Sequence, residues 1–337
     1  MELEERPLPR LKPGEVLLRI DRCGVCASDL LAIEGAVTDY SPPVVLGHEI
    51  AATVEESREP SVSVGQRLSV NPMITCGKCR SCRRGEHKYC PHLYGIGHDI
   101  DGGFAEYMVA PAPLVAGGGL LLVPEEVPPD RLLFLEPLGC VLSAWEETPF
   151  RESLAVLGAG PIGLLFVQLA REAGLQTVVL EPQPHRRELA RQLGAEAALP
   201  PGEESEAQLR EQLDGGADTV IVATDHPQAI EAAFRIARRG GAINFFGLAP
   251  KGRTLTLELE QLHFQGYRIQ ASWAFSRRSL EASRRRIVEG KIDLTPFVTR
   301  RFRLEEANAA IEYARSRAGV KAVFAPHELK AGWASDG

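Results

Sequence analysis

The sequence predicts an α/β fold that combines a barrel-like β domain with a doubly wound parallel sheet. The first third of the chain alternates short β-branched runs with glycine and proline, which favours a β domain. From about Pro124 onward, apolar strand-like runs alternate with amphipathic helical segments, which favours a parallel sheet with crossover helices. A length of 337 residues is enough for two domains, each with its own core.

The individual elements follow from the spacing of apolar residues and turn formers. In the β domain, the predicted strands cover residues 16–20, 44–46, 50–54 and 67–70. In the parallel sheet, predicted strands cover residues 154–157, 177–180, 219–222 and 242–246. The predicted helices between them cover residues 162–173, 185–193 and 228–237. After about Ser272 the alternation ends, and one further helix is predicted over residues 280–289.

Composition and charge exclude several classes of protein. Hydrophobic residues make up 44% and charged residues 25%, which is close to the average of globular proteins and unlike disordered or fibrous chains. A formal net charge of −7 argues against nucleic acid or an anionic membrane as the main partner. The uncharged stretch 107–124 contains prolines and a glycine triplet, so it does not predict a spanning helix. The charged start of the chain does not resemble a signal peptide, and we expect a cytoplasmic protein.

A glycine motif opens the parallel sheet. Gly158-Ala159-Gly160-Pro161-Ile162-Gly163 follows an apolar strand and precedes a helix, and Glu181 stands at the end of the next strand. In this context the glycines allow a tight turn and the close approach of a pyrophosphate to the helix N-terminus, and the acid accepts hydrogen bonds from a ribose. The candidate cofactor-binding residues are Gly158, Gly160, Pro161, Ile162, Gly163, Glu181 and Arg186.

The same residues bear on the choice of cofactor. The carboxylate of Glu181 repels a ribose 2′-phosphate, which favours NAD over NADP. Arg186 and Arg187 follow closely and weaken this preference without reversing it.

Four of the seven cysteines lie close together as Cys76-x2-Cys79-x2-Cys82-x7-Cys90. Clustering of this kind is typical of metal binding rather than of a disulfide framework. Four thiolates complete a tetrahedral shell around zinc and leave no open position, so a zinc ion here would be structural. An iron–sulfur cluster is the competing interpretation of the same spacing.

A second set of possible ligands is dispersed along the chain. Cys26 lies in the segment 23–29, Gly47 precedes His48 and Glu49, and Glu136 precedes a proline. Taken singly, a buried cysteine or histidine is more often a packed or hydrogen-bonded core residue than a ligand. Spacing alone also leaves Cys23 as an alternative to Cys26.

Several motifs in fixed order resemble those of the zinc-containing medium-chain alcohol dehydrogenases, in the branch of polyol (sorbitol-type) and threonine dehydrogenases. Besides the glycine and cysteine motifs, the resemblance rests on Pro13-Gly14-Glu15-Val16, Asp101-Gly102-Gly103-Phe104-Ala105-Glu106-Tyr107, Glu136-Pro137-Leu138, Arg239-Gly240-Gly241 and Gly290-Lys291-Ile292-Asp293. It implies a GroES-like β-barrel catalytic domain at residues 1–145, with the four-cysteine zinc lobe at about 71–95, completed by residues 273–337. It also implies a Rossmann dinucleotide-binding domain at residues 146–272, an active site in the cleft between the domains, and a homodimer or homotetramer.

The resemblance also implies a role for each dispersed residue. Cys26 and His48 would bind a catalytic zinc ion, Glu49 and Glu136 would supply a third or fourth ligand in exchange with water, and Cys23 would be a bystander. Asp29 would orient the zinc-bound histidine, and Ser28 would pass the substrate proton away from the metal. The implied cofactors are two zinc ions for each chain and NAD(H), and the implied activity is NAD-dependent oxidation of a secondary alcohol.

Two positions depart from the family pattern and bear on the substrate. Leu31 stands where the family often has a histidine that completes a proton relay, and Ala32 follows where sugar-polyol enzymes often have an aromatic residue. We therefore expect the proton to leave through the cofactor ribose and water, and we expect a ring substrate such as a cyclitol, an amino-cyclitol or a sugar moiety.

Three alternatives stay open at this point. The enzyme could work as a biosynthetic reductase or as a threonine-type amino-alcohol dehydrogenase. A non-catalytic relative that keeps the fold for binding or structure is a third alternative, which the joint presence of all four dispersed ligands argues against.

Overall fold

The computed structural model describes residues 1–37 and 40–328, so the last part of the predicted C-terminal segment, residues 329–337, lies outside the described residues. The first half of the described chain contains β1 (Val16–Gly24), α1 (Ala27–Ile33), β2 (Glu49–Ser57), β3 (Arg67–Val70), β4 (Met73–Ile74), α2 (Arg80–Arg83), β5 (Tyr94–Gly95), β6 (Tyr107–Ala110), α3 (Ala112–Ala116), β7 (Leu120–Val123), α4 (Pro129–Leu132) and α5 (Leu135–Glu147).

The second half alternates strands and helices until its last elements. It contains β8 (Ser153–Leu157), α6 (Pro161–Glu172), β9 (Gln176–Leu180), α7 (Pro184–Leu193), β10 (Ala197–Leu199), α8 (Glu203–Gln212), β11 (Ala217–Val222), α9 (Pro227–Ile236), β12 (Ala237–Phe245), α10 (Leu259–Gln265), β13 (Arg268–Ala271), α11 (Arg277–Val288), β14 (Val298–Phe302), α12 (Ala307–Ser316) and β15 (Lys321–Phe324). Contacts divide the chain into two compact units.

The first unit comprises residues 1–35, 39–136 and 298–337 and is built on a β-sheet. Its strands follow the order β14-β15-β1-β2-β3-β7, and β6 also pairs with β1. Val16, Leu18 and Ile20, spaced two apart on β1, are fully buried, as expected when alternate side chains of a strand face a core. Ile50 and Leu68 on the neighbouring strands complete this layer.

The second unit comprises residues 36–38 and 137–297 and contains a parallel sheet in the order β10-β9-β8-β11-β12-β13. Every residue of β8 and β11 is buried, which is typical of parallel strands covered on both faces. Helices α6, α7 and α9 each begin with a proline, whose missing N–H is harmless at a helix start. The structure therefore confirms the predicted combination of a β domain and a parallel sheet with crossover helices.

Two details differ from the sequence-based expectations. Residues 44–46 are not a strand, because their backbone groups bond to a loop instead. The side chain of Asp101 accepts the Val45 N–H at 2.8 Å, and the Val45 carbonyl accepts the Gly102 N–H at 2.7 Å.

The other difference concerns residues 137–145 and 273–297, which we expected in the catalytic domain and which the structure places in the second unit. The two segments pack against each other, since a Cβ on Gly139 would lie 2.9 Å from the Leu280 side chain. A pair of hydrogen bonds between the Gln168 side chain in α6 and the backbone of Asp293, at 2.9 and 2.8 Å, also joins the later segment to this unit. Among the described residues, no helix is both long and apolar enough to cross a membrane.

Candidate active site

The glycine motif forms the turn between β8 and α6, at the carboxyl end of a buried strand. Gly158 has a φ of +98°, a conformation that residues with a Cβ rarely adopt. A Cβ on Gly163 would lie 1.9 Å from the Gly158 carbonyl oxygen, so only glycine lets the turn and the helix approach this closely. Pro161 and Ile162 form the first helical turn, whose free N–H groups are suited to a pyrophosphate.

Glu181 is buried at the end of β9, where its carboxylate fixes the glycine turn. Its Oε2 accepts the backbone N–H of Ala159 at 2.7 Å, and its Oε1 accepts the N–H of Gln183 at 2.9 Å. Each oxygen keeps a second lone pair with which to accept a further hydrogen bond. The carboxylate therefore shapes the turn and also places a negative charge beside it.

Two arginines of α7 accompany this carboxylate. Arg186 is buried, and a Cβ on Gly160 would lie 3.9 Å from its guanidinium, which shows how close that group is to the turn. Arg187 donates to the backbone carbonyls of Glu181 and Pro182 at 2.8 and 2.7 Å. The turn therefore has both a carboxylate and a guanidinium beside it.

The four clustered cysteines converge in space, with all sulfur atoms within 4.8 Å of one another. The Cys76 sulfur lies 3.9 Å from that of Cys82 and 3.6 Å from that of Cys90, and the Cys79 and Cys90 sulfurs are 3.9 Å apart. A tetrahedral zinc ion with Zn–S bonds of about 2.3 Å places its sulfurs about 3.8 Å apart. An iron–sulfur cluster would hold them farther apart, because its iron and sulfide atoms lie between the thiolates. The geometry thus fits a single tetrahedral ion.

The acidity of these thiols also favours a cation. Backbone N–H groups of Lys78 and Cys79 lower the pKa of Cys76 to about 6. Burial and the neighbouring cysteines Cys79 and Cys90 raise the pKa of Cys82 to about 11. Four adjacent thiols therefore do not ionise together on their own, and a divalent ion removes that conflict by binding all four as thiolates.

A second cluster forms where β1 ends and α1 begins. The Cys26 backbone N–H, just before the helix, donates to Asp29 Oδ2 at 2.8 Å. The other oxygen of the fully buried Asp29 lies 3.6 Å from Nδ1 of His48. Burial lowers the pKa of His48, but the neighbouring Asp29 and Cys26 outweigh it and hold the pKa well above its usual range. The fold therefore brings a thiol, an imidazole and a carboxylate together.

The loop that carries His48 is fixed by backbone bonds to a second loop. The Gly47 carbonyl accepts the Gly103 N–H at 2.8 Å, and the Leu46 carbonyl accepts the Phe104 N–H at 2.9 Å. Gly47 has a φ of +95°, and a Cβ there would lie 2.4 Å from the Phe104 ring. This close approach explains why a glycine precedes the histidine.

Glu49, the first residue of β2, is buried against Lys321 of β15. The Lys321 ammonium donates to Glu49 Oε1 at 2.7 Å and to the Val25 carbonyl at 3.1 Å. Within the described residues, Glu49 Oε2, Asp29 Oδ1 and His48 Nδ1 are buried without a hydrogen-bond partner. Asp29 Oδ1 and His48 Nδ1 face each other at 3.6 Å, so Glu49 Oε2 is the one of these three atoms that is left for a further group, because buried polar atoms normally have partners.

Glu136 lies in the first turn of α5 and is partly exposed. Among the described residues, no three donor atoms of Cys26, His48, Glu49 and Glu136 lie as close to one another as the four cysteine sulfurs do. The structure thus brings Cys26 and His48 together, and it turns one oxygen of Glu49 toward Lys321.

Sequence reasoning missed three residues near this cluster. Lys321 has a signal that could have revealed it, because a lysine inside the apolar run 320–324 predicts a buried ion pair. Tyr40 and His98 have no such signal, since only the fold brings them together. Their rings stack with centroids 4.1 Å apart, and the His98 and His48 ring centroids are 5.3 Å apart.

Comparison with known proteins shows a consistent pattern. Residues 12–117 match the alcohol dehydrogenase GroES-like domain, and residues 161–289 match the zinc-binding dehydrogenase domain. The chain is 31% identical to an L-threonine 3-dehydrogenase of Pyrococcus horikoshii over 340 residues, covering 96% of this chain and 94% of the relative.

Two of the solved structures that share the fold illustrate the similarity. A zinc-binding dehydrogenase of Sinorhizobium meliloti bound to NADP matches with a TM-score of 0.85 and 29% identity, over 94% of each chain. Galactitol-1-phosphate dehydrogenase of Escherichia coli matches with a TM-score of 0.83 and 25% identity, over 96% of each chain.

Proposed function

Since the chain belongs to the zinc-dependent medium-chain alcohol dehydrogenases, we propose that it transfers hydride between NAD(H) and a secondary alcohol of a polyol, cyclitol, amino-cyclitol or sugar-like substrate. Family membership makes it an alcohol dehydrogenase that uses zinc and a nicotinamide cofactor on a small molecule. The observation that carries the proposal is the cluster of Cys26, Asp29 and His48, which puts two zinc donors beside an orienting carboxylate.

Cys26 and His48 would hold the catalytic zinc ion, with Glu49 and Glu136 as exchangeable ligands. A zinc ion at such an open site acts as a Lewis acid that lowers the pKa of a bound hydroxyl, and the nicotinamide carries the hydride. Asp29 keeps the His48 ring oriented, because its fixed carboxylate faces Nδ1. Lys321 holds one Glu49 oxygen and leaves the other for exchange. Ser28, in the first turn of α1, takes the proton that the substrate hydroxyl loses.

A second zinc ion in the four-cysteine lobe would be structural, as the sulfur separations support. NAD is the preferred cofactor in this proposal, because the Glu181 carboxylate beside the turn disfavours a ribose 2′-phosphate. The nearness of Arg186 to Gly160 moderates that preference. We assign metal chemistry to the first unit and cofactor binding to the second.

The substrate class rests on two residues of α1. Leu31 is buried and Ala32 is small, so this helix offers an apolar wall rather than polar contacts to an open-chain polyol. Similarity to galactitol-1-phosphate dehydrogenase supports a polyol-like substrate. The second candidate is a threonine-type amino-alcohol, which 31% identity to L-threonine 3-dehydrogenase favours.

One assay separates these candidates. Zinc-loaded protein is mixed with NAD, and separately with NADP, and a panel of cyclitols, amino-cyclitols, sugars, open-chain polyols, threonine and simple secondary alcohols, and reduced nicotinamide is followed by absorbance. Turnover confined to ring substrates supports the proposal. Turnover with sorbitol or threonine keeps the enzyme class and removes the role of Leu31 and Ala32 in specificity. If protein that binds both zinc and NAD turns over none of the panel substrates, the result contradicts the proposed activity.

We also propose a homodimer or homotetramer. Strand β13 is an edge strand of the parallel sheet. Its Ile269 side chain is 40% exposed, and Leu259 and Phe264 on α10 are 78% and 62% exposed. An apolar sheet edge of this kind supports pairing with a second copy. A cytoplasmic location is supported by the four cysteines, whose sulfur separations suit a metal ion rather than disulfides.

A further inference from the structure

The four-cysteine lobe carries an excess of positive charge that the proposed alcohol oxidation does not use. Residues 76–92 contain five lysines and arginines and one acidic residue, Glu86. The whole chain has 38 lysines and arginines against 45 aspartates and glutamates, so the lobe reverses the charge balance of the chain. A local reversal of this kind creates a surface that attracts negatively charged partners.

Four of these side chains form one exposed surface, which we call the basic face: Lys78, Arg80, Arg83 and Arg84. Helix α2 begins at Arg80, and Arg84 keeps the helical backbone conformation just after it, with φ of −91° and ψ of −1°. Because positions i, i+3 and i+4 of a helix lie on one side, the three arginines point the same way. The Lys78 carbonyl accepts a hydrogen bond from the Arg83 guanidinium, which joins the fourth residue to the turn.

No carboxylate of the described residues neutralises the basic face. Within residues 1–37 and 40–328, none of its four side chains forms an ion pair with an acidic residue, and Glu86 of the same lobe forms none either. Like charges at these helical spacings repel each other. A negatively charged group from outside the described chain would therefore relieve a repulsion that the fold leaves in place.

The arginine-rich helix α11 shows the opposite arrangement. Three of its five arginines pair with carboxylates: Arg278 with Glu146, Arg284 with Glu281, and Arg286 with Glu172. Both segments are rich in arginine, so arginine content alone does not set the lobe apart. The absence of ion pairs at the basic face does.

The lobe also presents the basic face on an ordered backbone. The Arg84 N–H donates to the Ser81 carbonyl at 3.1 Å, and the Cys82 N–H donates to the Cys79 sulfur at 3.4 Å. Tyr89, in the same lobe, is 55% exposed. Arginine and tyrosine are enriched at protein–protein interfaces, and a surface that is ordered in advance loses little conformational freedom when it binds.

We propose that the basic face binds an acidic segment of a partner protein. Arg80 and Arg84 lie about 6 Å apart along the axis of their turn, and carboxylates at positions i and i+4 of an acidic helix have the same spacing. Nucleic acid fits less well, because a long row of phosphates would extend from four basic groups onto a chain of net charge −7. Binding here does not depend on the alcohol oxidation, because no residue of the basic face belongs to the candidate catalytic cluster.

The test measures binding of a fluorescein-labelled decaglutamate peptide to zinc-loaded protein, by fluorescence anisotropy at low ionic strength. The wild type should bind the peptide, and added NaCl should weaken the complex because exposed charges are screened. The triple variant Arg80→Gln/Arg83→Gln/Arg84→Gln should bind about tenfold to 100-fold more weakly, as expected for the loss of three exposed charge contacts. Absence of peptide binding to the wild type would overturn the proposal.

The matched control is Arg278→Gln/Arg284→Gln/Arg286→Gln, which removes the same net charge from α11. Its affinity for the peptide should stay within about twofold of the wild type, because carboxylates already neutralise these arginines. Equal losses in the two triple variants would show that the peptide responds only to net charge, which contradicts a specific face. Zinc content and melting temperature of both variants should match the wild type.

A measurement on the wild type covers the case in which the lobe variant loses zinc. A carbodiimide joins carboxylates of the bound peptide to nearby lysine amines, and mass spectrometry locates the products. The peptide should be found on Lys78 and not on Lys291, an exposed lysine that pairs with Glu289. Products at Lys291 and none at Lys78 would overturn the proposal.

Two other occupants would also overturn it. A deoxythymidine decamer that binds more tightly than the peptide would identify the basic face as a nucleic-acid site. Sedimentation of the protein alone tests for a second copy of the chain. A fall in the assembled mass of the lobe variant, with the mass of the α11 variant unchanged, would identify that copy as the occupant.

Discussion

The two candidate zinc sites of the first unit differ in almost every physical respect. The four cysteines lie within fifteen residues of sequence, and their sulfur atoms already stand within 4.8 Å of one another. The dispersed set, Cys26, His48, Glu49 and Glu136, comes from three parts of the chain, and one of its carboxylates is bound to Lys321. The first site is made of one donor type, whereas the second mixes three donor types.

This difference matches the difference between a structural and a catalytic metal site. A closed shell of four thiolates stabilises a loop-rich lobe and offers no position to a substrate. A mixed site with movable carboxylates keeps a position open, and the buried partners around it restrict how its ligands move. The comparison therefore predicts that damage to the first site lowers stability and that damage to the second lowers turnover.

The largest expected effect is on turnover. Cys26→Ser should abolish NAD reduction with the best panel substrate, because it removes the thiolate that would hold the catalytic ion, while NADH binding stays unchanged. Cys23→Ser is the matched control, a buried cysteine three residues earlier that the family resemblance makes a bystander. Turnover is measured by absorbance and cofactor binding by fluorescence. Loss of turnover in Cys23→Ser with activity kept in Cys26→Ser would exchange the two assignments.

The next effect is on stability. Cys79→Ser opens the four-sulfur shell, and because a structural zinc ion contributes about 10 kcal/mol or more to folding, it should lower the free energy of unfolding by several kcal/mol. Cys140→Ala, a cysteine outside both clusters, should retain the full zinc content. Thermal and denaturant unfolding of zinc-loaded protein measure this effect. A Cys79→Ser protein as stable as the wild type would remove the structural role of the lobe.

The buried ion pair between Lys321 and Glu49 allows the second cluster to be tested through stability, by comparison with an exposed ion pair. Lys321→Met leaves the buried Glu49 carboxylate without its partner, which should cost about 3–5 kcal/mol of unfolding free energy. Lys291→Met breaks an exposed pair with Glu289 of the same 2.7 Å length and should leave the free energy of unfolding nearly unchanged.

The Lys321→Met/Glu49→Gln double variant should recover most of the lost stability, since no unpaired charge remains. Urea unfolding of the three variants checks this. Equal losses for Lys321→Met and Lys291→Met would show that burial of the Glu49 pair has no energetic consequence.

The smallest effect concerns the cofactor. Glu181→Ala should reduce the preference for NADH over NADPH by about tenfold, the equivalent of about 1.4 kcal/mol, and should also weaken both complexes because the Ala159 N–H loses its acceptor. Glu181→Gln keeps a hydrogen-bond acceptor and removes the charge, so it should change the preference with less general weakening. Fluorescence titration with each cofactor gives the ratios. An unchanged ratio in both variants would remove Glu181 from cofactor selection.

The sequence predicts local features well and dispersed ones incompletely. The glycine turn and the cysteine lobe are short segments whose residue types are dictated by geometry, and the structure places both as their spacing indicates. The strand predicted at 44–46 was wrong, because apolar residues there bond to a loop that lies far away in sequence. The pairing of Tyr40 with His98 depends on the same loop contact, and no periodicity in the sequence reports it.

Zinc content for each folded chain, measured by mass spectrometry on the wild type and on Cys26→Ser, tests the central claim most directly. The account predicts two zinc ions in the wild type and one in Cys26→Ser, with the single remaining ion retained by protein that is folded and inactive. Equal zinc content in the two proteins would contradict the assignment of Cys26 to a metal site that is separate from the four-cysteine lobe.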